Sequence, residues 1–109
     1  MKPWRLTRHA EQRLTEIAEW TAKRFGPEQA LVYQDALIER IKALASGDPP
    51  TARACEVLMQ GQPAARGLLY YYEGSHYIIL RETDEKLDVL DFLYERSDLP
   101  RHIASLEGR

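Results

Sequence analysis

With 109 residues, 44% of them hydrophobic and 29% charged, the chain has the size and balance of one globular domain built around one core. A formal net charge of −2 gives no broad electrostatic reason to bind nucleic acid or an anionic membrane surface. The single Cys55 cannot close a disulfide within the chain. The first residues lack the apolar core of a signal peptide, and no stretch reaches the length of a membrane span. We therefore expect a cytoplasmic protein.

The first half of the chain predicts a short strand followed by two helices. Pro3–Leu6 is the strand candidate, and Thr7 can cap a helix that runs from about Arg8 to Phe25. Gly26 and Pro27 end this helix and start a second one, which continues to about Ala45. Because the joint between them is so short, we expect the two helices to form an antiparallel hairpin.

Residues 47–66 show no clear hydrophobic period. Gly61 and Pro63 break any long element, and at most one helical turn is predicted, at Arg53–Met59. A connection of this length without regular structure is often functional.

The stretch Gly67–Tyr94 predicts a three-stranded antiparallel meander with turns at Glu73–Ser75 and Thr83–Lys86. Its strands are apolar on both faces, so both faces need a cover. We expect the helical hairpin to cover one face and a partner protein to dock on the other. The last strand is interpreted with Leu87, Val89 and Leu93 on one face and Leu90, Phe92 and Tyr94 on the opposite face.

The predicted fold class is therefore α+β, in one domain over residues 1–109. An N-terminal strand and a two-helix antiparallel hairpin pack on a three- to four-stranded antiparallel sheet. Pro100 suits a first helical turn, so a short C-terminal helix is predicted at Leu99–Leu106.

Few residues indicate catalysis. His9, His76 and His102 do not stand at metal spacing, and we interpret them as solvated or capping side chains. No phosphate-binding glycine motif occurs, and nothing places a base beside Ser75 or Ser97, so we expect no metal, no cofactor and no hydrolase site.

Two further patterns have a structural and a functional interpretation. Tyr70–Tyr72 could stack bases, but basic neighbours are missing and core packing is favoured. Arg66, Arg81 and Arg96 could hold phosphates, and could equally pair with nearby acids: Asp84, Asp88, Asp91 or Glu95.

Several segments, in this order, resemble ParE-type toxins of the ParE/RelE superfamily of type II toxin–antitoxin systems. In the second half they are His76–Arg81, Asp84-Glu85, Leu87–Leu90 and Asp98–Ile103. In the first half they are Leu6-Thr7, Ala10-Glu11, Leu14, Ile17, Thr21, Phe25-Gly26 and Gln29-Ala30. The resemblance covers essentially the whole chain. It implies a RelE/ParE-like fold and a toxin neutralised by a ParD-like antitoxin.

Two activities occur in this superfamily, because ParE members poison DNA gyrase and RelE members cut messenger RNA on the ribosome. The sheet arginine of RelE nucleases falls at Tyr77, and a basic or histidine residue near the end of the last strand is replaced by Tyr94. The resemblance therefore implies a gyrase inhibitor that acts by binding and has no catalytic residues. The alternative is a ribosome-dependent endoribonuclease acting through Arg66, Arg81 and Tyr94. A non-toxic relic that only binds an antitoxin is a third possibility.

The chain departs from ParE relatives at Leu69 and Asp91, where those proteins often carry arginines. Arg81 and the Asp98–His102 tail are retained. We expect a partner segment with aliphatic anchors and Lys or Arg, because the surround of the sheet is acidic. The expected antitoxin contacts are Trp20, Tyr33, Leu37, Ile41, Tyr71 and Ile79. The expected target contacts are Arg81, Arg96, Arg101 and His102.

Overall fold

The computed structural model describes residues 1–61 and 66–106. In chain order the elements are β1 (Trp4–Leu6), α1 (Arg8–Phe25), α2 (Pro27–Ala45), β2 (Arg53–Ala54), a 3₁₀ helix (Cys55–Leu58), β3 (Leu68–Glu73), β4 (His76–Glu82), β5 (Leu87–Tyr94) and α3 (Leu99–Leu106). The predicted α+β architecture is confirmed, and the C-terminal helix has the predicted bounds.

The helical hairpin begins and turns as the sequence predicts. The Thr7 side chain accepts a hydrogen bond from the Ala10 N–H at 3.1 Å, which satisfies one of the unpaired donors at the start of α1. Gly26 has a φ of +97°, and its N–H donates to the Ala22 carbonyl at 2.9 Å, so α1 ends there. Pro27 then opens α2 without an intervening loop.

The sheet is larger than predicted. Among the described residues it has five strands in the order β1-β5-β4-β3-β2, and β1 pairs with β5 in parallel rather than antiparallel orientation. The sequence analysis did not predict β2, which is only two residues long and pairs Arg53 with Tyr70. The 3₁₀ helix lies within the turn predicted at Arg53–Met59, whereas Pro63 lies outside the described residues.

Because of a β-bulge in β5, the prediction of which side chains of that strand share a sheet face is wrong. Ile79 pairs with Asp91 and Leu80 pairs with Val89, so Leu90 has no partner in register on β4. An extra residue reverses the alternation beyond it. Phe92 therefore joins Leu87 and Val89 in the core below the helices, while Leu93 joins Leu90 on the opposite face.

The chain covers both faces of its own sheet, so the expectation of an open second face is wrong. The hairpin core contains Leu14, Leu37, Ile41, Ile78 and Phe92. The second core lies below the 3₁₀ helix and α3, and it contains Cys55, Met59, Leu68, Ile79, Leu93, Ile103 and Leu106. Burial raises the pKa of the Cys55 thiol to about 12, so this side chain packs as a neutral apolar group.

Gly74 is a position where the fold admits no side chain. It has a φ of +63° in the β3–β4 turn, and a Cβ added there would overlap the Tyr33 ring and lie 2.8 Å from its Oη. We expect Gly74→Ala to lower the free energy of unfolding by about 2–3 kcal/mol, as backbone strain adds to overpacking. Gly47→Ala is the matched control, because Gly47 has a φ of +76° with nothing within 4 Å. Denaturant unfolding measures both, and equal losses would contradict the overlap with Tyr33.

Candidate functional site

A cavity of about 390 Å³ opens where α1, the adjacent ends of β4 and β5, and α3 meet. We call it the His76 pocket. Its floor is apolar and its walls are mixed, a composition typical of sites that bind an apolar group in a fixed orientation. The lining residues are Arg13, Glu16, Ile17, Trp20, His76, Phe92, Leu93, Tyr94, Ser97 and His102.

His76 is held from behind by α2. Its Nδ1 lies 2.6 Å from the Tyr33 Oη, and that oxygen also accepts a hydrogen bond from the Ser75 N–H at 3.0 Å. The Tyr33 hydroxyl has one proton and two acceptors within reach, His76 Nδ1 at 2.6 Å and the Glu73 carbonyl at 3.3 Å. Hydrogen bonds donated by hydroxyl groups are shorter than those donated by nitrogen, so we assign the proton to the shorter contact, with Tyr33 donating to Nδ1. His76 is then neutral, with its proton on Nε2.

Burial acts on both groups in the direction that keeps them neutral. His76 is only 8% exposed, and burial lowers the pKa of its imidazole below the ordinary value near 6.5. Burial also raises the pKa of Tyr33, so its hydroxyl keeps its proton. The interpretation of His76 as a solvated or capping residue is therefore wrong.

A buried carboxylate holds the α1 wall of the pocket against β5. Asp91 is 2% exposed and lies 3.1 Å from the Arg13 Nε and 3.0 Å from the His9 Nε2. Its Oδ1 also accepts from the Phe92 N–H at 2.8 Å, at the bulge. Arg13 reaches Glu16 at 3.5 Å as well, so the two charged residues of the lining are partners of each other.

Among the described residues, the acids of the sheet form ion pairs mostly with the N-terminal half of the chain, and none of these pairs is with Arg66 or Arg96. Asp88 lies 2.8 Å from Arg5, and a hydrogen bond from that guanidinium lowers the pKa of the carboxyl. Glu95 accepts a hydrogen bond from the Tyr72 hydroxyl. Arg66 and Arg96 are exposed.

The mouth of the pocket carries exposed aromatic surface. Trp20 is 51% exposed and Tyr94 is 44% exposed. Trp20 packs edge-on against Phe25 with ring centroids 6.2 Å apart, and the Arg24 guanidinium lies 5.1 Å from the Trp20 ring. Phe25 is itself 63% exposed, so an apolar strip continues from the pocket to the end of α1.

The residues expected to contact an antitoxin fall into two groups. Leu37, Ile41 and Ile79 are all 0% exposed, so they offer no surface to a partner and serve as core residues. Trp20 lies at the pocket mouth and Tyr33 lies behind His76. Tyr71 is half-buried below the Arg40 guanidinium, 4.5 Å from its ring centroid, and Arg40 also pairs with Glu73 at 2.9 Å.

The residues expected to contact a target, or to cut RNA, do not converge. Tyr94 pairs with His76 at one end of β4, whereas Arg81 is five residues further along that strand, roughly 17 Å away. His102 lines the pocket, while Arg96 is exposed just before α3 and Arg101 is exposed within it. Arg66 precedes Leu68, which pairs with Arg81, so it lies towards the far end of the sheet from Tyr94. The proposed nuclease set of Arg66, Arg81 and Tyr94 is therefore not assembled.

Sequence reasoning missed the part of the site that depends on long-range contacts. Arg13 and Glu16 were not among the expected site residues, yet they line the pocket. Ser97 closes the turn after β5, where its hydroxyl donates to the Tyr94 carbonyl at 2.6 Å. One available signal was the aromatic Trp20 on an otherwise polar face of α1, which helical amphipathicity does not explain.

His76 is expected to make the protein less stable in mild acid. Because its pKa is lowered in the folded state, its neutral form is favoured there, and the stability it supports is complete above about pH 6.5 and is lost as the pH falls below that value. The slope from one proton cannot exceed about 1.4 kcal/mol per pH unit. Urea unfolding at about pH 7.5 and about pH 5 should show a larger loss for the unmodified chain than for His76→Gln.

His102→Gln is the control for that measurement, since it changes a less buried histidine of the same pocket. Equal acid losses in the unmodified chain and in His76→Gln would show that other groups carry the effect.

In the ranges 1–61 and 66–106, no three His, Cys, Asp or Glu side chains cluster so that they could hold a metal ion. No helix in the same ranges combines the length and the hydropathy needed to cross a bilayer.

Comparison with known proteins agrees with the fold. The family model for the ParE toxin of the type II toxin–antitoxin system, parDE, matches residues 4–99. A solved structure of the chromosomal ParDE toxin–antitoxin system from P. aeruginosa is similar over 86% of this chain and 96% of that chain, with a TM-score of 0.68 and 19% sequence identity. At this identity the similarity shows a shared fold. No curated protein sequence matches the chain.

Proposed function

Because this chain belongs to the ParE toxin family of type II toxin–antitoxin systems, we propose that it is the toxin of such a pair, that a ParD-like antitoxin neutralises it, and that it acts in the cytoplasm by inhibiting DNA gyrase through binding. The proposal that an antitoxin binds this chain is supported by the His76 pocket together with the exposed strip of Trp20 and Phe25. Both sheet faces are covered by the chain itself, so this side of α1 is the surface best suited to a partner.

A partner that is disordered when free suits such a surface. A narrow apolar pocket beside an exposed aromatic strip offers separate anchor points to a short segment that folds as it binds. Trp20 is the best candidate for an anchor contact, because a large aromatic side chain at the centre of an interface often contributes more than 2 kcal/mol.

Action without catalysis is supported by the arrangement of the charged residues. RNA cleavage needs a general base, a general acid and cationic stabilisation of the phosphate within one site. The three residues that could supply these roles lie apart on the sheet. Binding to a protein target such as gyrase needs no such constellation.

The antitoxin part is tested by mixing the purified chain with the product of the neighbouring gene. We expect a tight complex, and a blue shift of the Trp20 emission in a Trp4→Phe background. Trp20→Ala should raise the Kd about a hundredfold. Val57→Ala is the matched control, because Val57 is 67% exposed on the opposite side of the sheet, and it should bind normally. A chain that remains monodisperse and indifferent to that product would count against the proposal.

The gyrase part is tested separately with a supercoiling assay on purified gyrase. We expect loss of supercoiling and cleaved plasmid, both reversed by the antitoxin. Cuts within codons of translated messenger RNA, with normal supercoiling, would instead support the nuclease alternative. Expression without growth arrest would indicate a non-toxic relic.

A further inference from the structure

The Nε2 nitrogen of His76 indicates which kind of ligand the His76 pocket binds. His76 Nδ1 is occupied by the Tyr33 hydroxyl, and no partner to Nε2 occurs among the described residues. Within the same residues, no side-chain nitrogen or oxygen sealed away from solvent lacks a hydrogen-bond partner. His76 Nε2 is therefore not sealed in protein, and it opens on the pocket that His76 lines.

The tautomer makes this nitrogen a donor. The Tyr33 hydroxyl donates to Nδ1, so the proton of the neutral ring is on Nε2. An N–H that opens on a pocket favours a ligand that brings an acceptor to it, because the donor would be left unpaired once a bound ligand excludes water.

The surrounding charges select an uncharged acceptor. Arg13 and Glu16, the charged residues of the lining apart from the histidines, are already partners at 3.5 Å, and Arg13 is also engaged by Asp91. Glu95 is close enough to act electrostatically on His76. Arg13 also acts electrostatically on His76, but its guanidinium is engaged by Asp91 and Glu16, so a carboxylate ligand would be repelled by Glu16 and Glu95 with little compensation. A neutral carbonyl oxygen meets no such repulsion.

The floor of the pocket supplies the second half of the specificity. Ile17, Phe92 and Leu93 line the same pocket as His76, although Phe92 and Leu93 belong to opposite faces of the sheet and all three are buried in the free chain. A carbonyl and an adjacent bulky apolar side chain are what one residue of a peptide presents.

We propose that the His76 pocket receives one large apolar residue of the partner segment, and that the Nε2–H of His76 donates a hydrogen bond to the backbone carbonyl of that anchor. This inference rests on the proposed antitoxin partner and names the chemistry of its main anchor. His76 then acts as a specificity-determining residue of the interface, and Tyr33 is the positioning residue that sets its tautomer.

The pocket itself is tested from the solvent side, without disturbing the core. Glu16 is exposed, so Glu16→Trp should leave the fold intact while its indole fills the mouth of the pocket. We expect its Kd for the neighbouring gene product to rise at least a hundredfold. Glu19→Trp is the matched control, because Glu19 is exposed on the same helix but does not line the pocket, and it should bind within about twofold of the unmodified chain.

The hydrogen bond is tested at His76. His76→Leu should raise the Kd about tenfold, as expected for one lost hydrogen bond, whereas His76→Gln keeps an N–H donor and should lose less than half of that factor. Nitrogen-15 NMR should show the Nε2–H tautomer in the free chain and a shift of that proton on binding. In Tyr33→Phe the tautomer preference should disappear.

The possible results distinguish a failure of the proposed antitoxin binding from a failure of the proposed contact in the His76 pocket. If the unmodified chain does not bind the gene product, the proposed function fails. If it binds and Glu16→Trp binds equally well, the pocket is not the anchor site. If Glu16→Trp fails but His76→Leu binds normally, or if NMR places the proton on Nδ1, the carbonyl contact is wrong.

Discussion

Replacing Asp91 with asparagine is expected to lower the free energy of unfolding by about 3 kcal/mol. The carboxylate is 2% exposed and lies within 3.1 Å of both Arg13 and His9. Its Oδ1 also accepts a hydrogen bond from the Phe92 N–H at 2.8 Å, beside the bulge. Asparagine is close in size, so the loss measures the charge rather than a cavity. Urea unfolding near neutral pH gives the value directly.

Glu16→Gln is the matched control for this substitution, because it neutralises the other acidic partner of Arg13. The Glu16 side chain is 53% exposed and its contact with Arg13 is 3.5 Å, so we expect a change within about 0.5 kcal/mol. A small loss for Asp91→Asn, similar to that of Glu16→Gln, would mean that Arg13 is solvated well enough to need no buried partner.

Ile103→Ala is expected to have an effect of similar size, about 3 kcal/mol, through the second core. Ile103 is 0% exposed in α3, where it packs with Ile79, Leu90 and Leu93 on the sheet face opposite the helical hairpin. Truncating it opens a cavity below a helix of only eight residues, which has few other contacts to hold it. Thermal and urea unfolding measure the loss.

Leu99→Ala is the internal comparison, since Leu99 is in the same helix and only half-buried. We expect less than half of the Ile103 loss there. If Ile103→Ala were as stable as the unmodified chain, α3 would not be a true cover for the sheet, and the second face would again be available to a partner.

Local signals predicted the parts of the fold that neighbouring residues determine. Thr7, Gly26 and Pro27 act within a few residues, so the bounds of α1 and α2 followed from the sequence. The same holds for the β3–β4 turn at Gly74 and for α3 from Pro100. The bulge did not, because nothing in β5 itself indicates that Leu90 lacks a partner on β4.

The cover of the second sheet face was beyond local reasoning. The apolar residues on both faces of the strands correctly indicated that both sheet faces need burial. In isolation, however, the 3₁₀ helix and α3 look too short to cover a sheet face. Their contribution depends on Cys55, Met59, Ile103 and Leu106 meeting across the chain. The core roles of Leu37, Ile41 and Ile79 follow from the same contacts, and these residues were wrongly expected at an interface.

The site was predicted least well, since it depends on pairs far apart in sequence. The resemblance aligned Asp91 with an arginine of ParE-type toxins, and the structure pairs this acid with a guanidinium from α1, at Arg13. His76 looked unremarkable because its partner Tyr33 lies 43 positions away. Of the residues expected to take part in function, Trp20, Tyr94 and His102 lie at the pocket, although they were expected in three different roles.

The His76 pocket draws its walls from opposite ends of the described chain, and this has a consequence for protein synthesis. Trp20 leaves the ribosome early, whereas His102 is added about eighty residues later, roughly 4–16 s at ordinary elongation rates. An inhibitor that requires the complete pocket cannot bind it on a nascent chain that still lacks His102. Recognition of the complete pocket would then be possible only after His102 has been synthesised, so antitoxin that is already present matters more than antitoxin made alongside the toxin.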